Sequence, residues 1–253
     1  MPDNDLLKIL FDTKIELEKT LNLTEDEIKK EALEYFKTNK KRILQTFISN
    51  KEDKQRLYLS AGASGAGKSE FVKSLNRRFG LNVIDTDEIR KLFPYYSGTN
   101  ANLFQKASIK AVEYLLDNSF KQNYSFILDT NLANFATADK NIKRALKRDY
   151  HIDIYFIYRN YDDCQKLTQI REENEARVVP QSVFNQKAKG SLDTIKQISK
   201  EYADEPNISL TIIDLDRDDM ITKSDIEMMR DRLEFYEEEL MVYMDKIKLS
   251  DGE

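Results

Sequence analysis

The sequence predicts an α/β fold: a parallel sheet of five strands, covered by helices on both faces in three layers, with further helices at each end of the chain. Two observations carry this. Short apolar runs recur at intervals long enough to hold a helix, and the first of them leads into a glycine-rich turn, Lys-Ser and a second helical pattern. A chain of 253 residues can hold one large domain with additions at its ends.

Composition narrows the classes. The net charge is −5, with Lys and Arg spread along the chain, which argues against nucleic acid and membrane as partners. The single cysteine, Cys164, cannot form an intrachain disulfide, and the polar N-terminus shows no signal peptide, so the expected location is cytoplasmic. One histidine, His151, and one cysteine make no zinc cluster. His151 opens an apolar run and reads as structural; Cys164 reads as a half-buried helix residue.

The elements follow in order. Leu6, Leu10, Leu17 and Leu21 recur at helical spacing, and "LTEDEIKKEALEYF" then opens with a capping box formed by Thr24 and Glu27. Residues 1–50 are therefore expected to be a helical extension. Strands are expected at "LYLSA", "LNVID", "SFILD", "IDIYFIY" and "ISLTIID" within a core spanning 51–219. Residues 220–253 are expected to form a closing helix, capped by Thr222 or Ser224. Ile226, Met229, Leu233, Tyr236, Leu240 and Tyr243 make its apolar seam. That seam is expected to pack on its own domain, a partner-binding face being the other reading.

"GASGAGKS", Gly62 to Ser69, fits G-x-x-x-x-G-K-[ST] between a strand and a helix. Gly62, Ala63, Ser64, Gly65, Ala66 and Gly67 supply a curl of backbone N–H groups, and Lys68, Ser69 and Glu70 begin a helix whose N-terminus favours anions. Bound ATP is expected, with Lys68 reaching the β- and γ-phosphates and the Ser69 hydroxyl on Mg²⁺. "TKSD" at 222–225 matches a GTPase base-reading motif in letters, but it follows the end of a strand by several residues and suits a helix cap better.

Strand two ends at Asp85, which puts Thr86 and Asp87 at the carboxyl edge of the sheet beside the phosphate loop. An aspartate there can take the proton of an acceptor hydroxyl, while helix capping is the ordinary alternative for Asp87. Asp85 suits a role in orienting neighbours or an Mg²⁺-bound water. Strand three repeats the geometry with Asp129, Thr130 and Asn131. Asp129 could reach Mg²⁺ through water or accept from substrate hydroxyls, and "TN" could instead simply open the next helix. "QIREENEARVVPQ" brings Arg171 and Arg177 into a charged, helix-breaking stretch, expected to be a lid over about 165–182 that stabilises a transferring phosphoryl group. Lys140, Lys143, Arg144, Lys147 and Arg148 read as a solvated helix face.

With this loop, "DTDEIRKLFPYY", "FILDTN" and "REENEARVVP" in order, residues 24–215 resemble the zeta toxin family of P-loop kinases. The resemblance implies the three-layer P-loop kinase fold with strand order 2-3-1-4-5. It implies phosphorylation of UDP-N-acetylglucosamine at the sugar 3′-hydroxyl, with Asp87 as general base and Arg90 at the substrate. Arg171 and Arg177 correspond to the lid arginines. It also implies restraint by a helical antitoxin, a role that residues 1–23 could instead play in cis. One departure is plain: the family's Glu-Gly-Thr after strand three is Asp129-Thr130-Asn131 here, which keeps the carboxylate, loses the glycine and leaves the acceptor open. Other acceptors, namely a nucleic-acid 5′-hydroxyl, NAD or an antibiotic, keep the same fold, and an ATP-binding regulator that transfers nothing is the reading from another class.

Overall fold

The computed structural model describes residues 23–49, 54–175 and 179–250. The leucines at 6, 10, 17 and 21 and the Arg177 of the expected lid lie outside them. Helix α1 (Glu25–Phe47) starts on the capping box: the Thr24 N–H donates to Glu27 Oε2 at 2.8 Å and the Glu27 N–H donates to Thr24 Oγ1 at 3.3 Å. Its buried Ile28, Ala32, Phe36 and Ile43 then pack on the domain behind it.

Strands β1 (Arg56–Ala61), β2 (Asn82–Asp85), β3 (Phe126–Asp129), β4 (His151–Tyr158) and β5 (Ile208–Asp214) run parallel in the order β2-β3-β1-β4-β5. The sheet has six strands, not five. A short β6 (Asp219–Thr222) turns back and pairs antiparallel with β5, so the expected core boundary at 219 cuts through a hairpin. The cause is tertiary. The Asp214 carboxylate, wholly buried at the end of β5, accepts from the N–H groups of Asp216 and Arg217, from Arg232 at 2.7 Å and from the Tyr236 hydroxyl at 2.8 Å, which pins the turn. Burial alone would raise the Asp214 carboxyl, but these donors hold it below its ordinary value.

Both faces of the sheet are covered. Tyr58 and Ile127 meet Val72 and Leu81 on the face covered by α2 (Lys68–Phe79), while Leu57, Leu59, Phe126 and Leu128 face the larger core. Alternation along one strand thus feeds two cores, which is why these runs are apolar throughout. The larger core takes in α4 (Gln105–Lys121), α5 (Phe135–Leu146), α6 (Tyr161–Glu175), α7 (Gln181–Glu201) and α8 (Ile226–Ser250), and a short α3 (Thr86–Arg90) follows β2. Helix α8 packs on its own domain: Met229, Leu233, Tyr236, Leu240 and Tyr243 are buried, and Tyr236 stacks on Tyr158 of β4 at 3.6 Å. Ile226 departs from that seam and is exposed. Neither Thr222 nor Ser224 caps α8; Asp225 accepts from the N–H of Met228 at 3.4 Å.

Candidate active site

Six residues, 62–67, connect β1 to α2. Gly65 has φ +77°, and a Cβ there would stand 2.1 Å from the Cys164 carbonyl oxygen, so the first turn of α6 closes on the loop through a position only glycine fits. The first N–H groups of α2 have no carbonyl one turn back, and the intrahelical ladder begins with the Phe71 N–H on Gly67 O. Lys68 is buried, its Nζ donating to Gly62 O at 3.0 Å and Ala63 O at 2.7 Å. Burial pushes its ammonium down to about 8. Asp129 opposes that shift, while Arg171 of α6 and Lys187 of α7 add to it. Arg171 also reaches the loop, its Nη2 donating to Ser69 Oγ at 3.3 Å. Cations gathered around a loop of N–H groups fit a polyphosphate.

The acidic side lies across the same edge. Parallel pairing sets Asp85 of β2 directly beside Asp129 of β3. Burial first, then the charges of Asp129 and Asp87, push the Asp85 carboxyl up to about 7. Asp129 is raised too, mainly by burial, although Ser60 donates to its Oδ1 at 2.6 Å and Lys68 is nearby. Two half-buried carboxylates raised in this way fit a divalent cation. Mg²⁺ needs only one or two such groups beside phosphate and water, so Ser69 with Asp85 or Asp129 is an adequate donor set.

The structure separates the neighbouring aspartates by role. Asp85, not Asp87, caps α3, accepting the Asp87 N–H at 2.7 Å. The Asp87 carboxylate instead accepts from Arg90 Nη1 at 2.5 Å. Arg90, which the resemblance sets at the substrate, lines the same cleft while largely buried, with its guanidinium between Asp87 and Gln105. Asn131 likewise opens no helix. Asn134 caps α5, leaving Thr130 and Asn131 on a loop in which Leu132 takes φ +51°. Cys164 is fully buried instead of half-buried, and burial lifts its thiol to about 12. His151 starts β4, at the opposite end of the strand from the carboxyl edge, with Nε2 3.6 Å from Asp153.

A cleft of about 1340 Å³ holds these groups together, lined by Lys68, Ser69, Asp87, Asp129, Asn131 and Arg171 among others. That exceeds the roughly 300–1,000 Å³ of a single small-ligand pocket, so donor and acceptor both have room. Arg171 lies on helix α6, which runs unbroken through Gln165 to Glu175 where a helix break was expected. The Val179 N–H then donates to Glu172 just before α7. Ser60, Gln105, Lys187 and Ser191, which accepts the Gly62 N–H at 2.8 Å, belong to this edge without having stood out in the sequence. Each arrives by register or helix packing, and no local motif flags it. The basic residues of α5 are paired, Lys140 and Arg144 with Glu113 of α4 and Lys143 with Asp139.

The raised Asp85 carboxyl has a measurable consequence. The folded protein holds that proton more tightly than the unfolded chain, so stability falls as pH climbs from about 4 toward 7, and the full penalty stands above 7. Asp85→Asn keeps a capping oxygen and removes the charge. It is expected to stabilise the nucleotide-free protein by about 2–4 kcal/mol at pH 8 and by little at pH 4. Thermal melts at the two pH values decide this, and a gain independent of pH would refute it.

The family model of the Zeta toxin matches residues 40–236. Among curated protein sequences none matches. Among solved structures, the chain is similar to one from the PezAT chromosomal toxin–antitoxin system of the human pathogen Streptococcus pneumoniae. The identity is 19% and the TM-score 0.63, over 76% of this chain and 81% of that one. It is also similar to a chain of AvrRxo1-ORF1:-ORF2 crystallised with ATP, at 12% identity and a TM-score of 0.55, over 82% of this chain and 66% of that one. At such identities the likeness is one of fold, the three-layer P-loop kinase arrangement. Among the described residues, no helix is long and apolar enough to cross a membrane.

Proposed function

The chain belongs to the Zeta toxin family, and from that premise we propose that it is an ATP- and Mg²⁺-dependent kinase. Its proposed acceptor is a hydroxyl of a small metabolite, foremost a nucleotide sugar such as UDP-N-acetylglucosamine, and it acts as a toxin. One observation carries the reading: a single cleft holds a phosphate loop with Lys68 and Arg171 on one side and a placed aspartate on the other.

In this reading the γ-phosphate lies between Lys68 and Arg171, with backbone N–H groups of the loop and of the first turn of α2 around the β-phosphate. Asp87, its carboxylate steadied by Arg90, takes the proton of the acceptor hydroxyl as that oxygen attacks the γ-phosphorus. The bond to the bridging oxygen breaks and ADP leaves, so the proton ends on Asp87 and the phosphoryl group on the acceptor. Mg²⁺, held by Ser69 with Asp85 or Asp129 through water, neutralises charge on the phosphates when bound. Arg171 spreads the developing charge through its planar fork, and Arg177, outside the described residues, is proposed to join it. Asp129, Thr130 and Asn131 face the acceptor.

Support for a toxin comes from the family, and PezAT is a toxin–antitoxin system. Restraint is therefore proposed to come from an antitoxin protein or from residues 1–23 in cis. The pairing of the α5 cations with acids speaks against a nucleic-acid acceptor, which would want an open basic track.

The test is incubation with labelled ATP and either UDP-N-acetylglucosamine or a bacterial metabolite extract, with the product identified by mass. A phosphorylated nucleotide sugar is expected. A different labelled metabolite would replace the acceptor and keep the kinase. ATP binding without acceptor-dependent ADP release would sink the kinase reading in favour of a regulator. The same assay on a chain lacking residues 1–22 shows whether that segment restrains it: an unchanged rate assigns restraint elsewhere.

A further inference from the structure

The base of the proposed reaction is held by a chain of contacts that no motif announces. Arg90, buried at the end of α3, directs Nη1 to Asp87 Oδ1 at 2.5 Å and Nη2 to Gln105 Oε1 at 2.6 Å. Its Nε is buried with no hydrogen-bond partner, so the orientation of this guanidinium rests heavily on the bonds at its two ends. Gln105 is anchored in turn. It is the first residue of α4, directly after Phe104, which is fully buried between Phe93 and Tyr96 with ring centroids 6.0 and 5.5 Å away.

We propose that Gln105 is a positioning residue for Asp87, acting through Arg90. This rests on the reading of Asp87 as general base. Asp87 is then fixed twice, its N–H by the Asp85 cap at 2.7 Å and its carboxylate by Arg90. The amide is suited to the task because it is a neutral acceptor: it orients the guanidinium without claiming its charge, which stays directed at Asp87. A carboxylate at 105 would compete with Asp87 for the same cation. Gln105 itself is exposed to the cleft, so substitutions there leave the core intact, and a cleft filled by substrate gives Arg90 little water to use in its place.

The test uses the full chain with Gln105→Met, which keeps length and removes the acceptor, and Gln105→Glu, which keeps the acceptor and adds charge. The first readout needs no activity: ¹⁵N–¹H resonances of the Arg90 guanidinium in the nucleotide-free protein. Restricted rotation is expected in the parent chain and faster rotation in Gln105→Met; identical spectra would overturn the proposal. The second is phosphorylation of UDP-N-acetylglucosamine. Gln105→Met is expected to lower kcat about tenfold with KM for ATP and acceptor and the melting temperature unchanged, and Gln105→Glu to lower it at least as far. In an Asp87→Asn background the same substitution should cost nothing further, since the pair acts as one unit. A raised acceptor KM with unchanged kcat, or an equal loss in both backgrounds, would make Gln105 a substrate contact or a merely structural residue. If the parent chain phosphorylates no sugar nucleotide, that acceptor reading fails, while the guanidinium spectra still decide the relay.

Discussion

Arg171→Ala is expected to lower phosphoryl transfer by roughly 10³ while nucleotide affinity changes only a few-fold. The reasoning starts from charge. Transfer spreads negative charge over the γ-oxygens, and a guanidinium reaching across the loop meets that charge where it develops. Arg171 is so placed: it lines the cleft, and its Nη2 already donates to the Ser69 hydroxyl at 3.3 Å. Arg171→Lys should recover part of the loss, because the charge returns and the planar fork does not. Single-turnover rates with bound labelled ATP separate the chemical step from binding. Transfer within tenfold of the parent chain in Arg171→Ala would remove this residue from the mechanism.

Asp87→Asn is expected to reduce transfer by roughly 10²–10⁴, with ATP binding and thermal stability close to the parent. An asparagine still accepts from Arg90, so the pair that holds the side chain survives and only the capacity to take a proton goes. The contrast with its neighbour is the sharpest control. The same substitution at Asp85, two residues earlier, changes stability with pH, because that carboxyl is the cap of α3 and is lifted to about 7 by burial and adjacent charge. Near-normal transfer by Asp87→Asn with the true acceptor would end its assignment as base.

Much of this site was legible because its signals are local. Strand, turn and helix around Gly62–Ser69 are contiguous, and the chemistry of a phosphate loop depends on backbone N–H groups and two following side chains. The alternation of apolar runs with helical stretches likewise specifies a parallel sheet, since a strand buried on both faces must be apolar throughout. The capping box at Thr24 and Glu27 is equally self-contained.

Roles that depend on partners distant in sequence could not be read in that way. Helix capping is the alternative that the sequence offers for Asp87, and only the turn into α3 gives the cap to Asp85 and the Arg90 pair to Asp87. Nor does any local pattern join Arg90 to Gln105, fifteen residues on, whose amide oxygen accepts from the far side of its guanidinium. Ser60 meets Asp129 across 69 residues through the register of β1 and β3, and β6 exists because Asp214, Arg232 and Tyr236 gather behind its turn. Apolar periodicity and backbone chemistry are properties of a stretch, and so the chain announces its layers and its phosphate loop by itself. Which carboxylate is a cap, which is charged and which can take a proton depends on burial and on donors brought in by other elements, and those come into being only when the sheet edge is assembled.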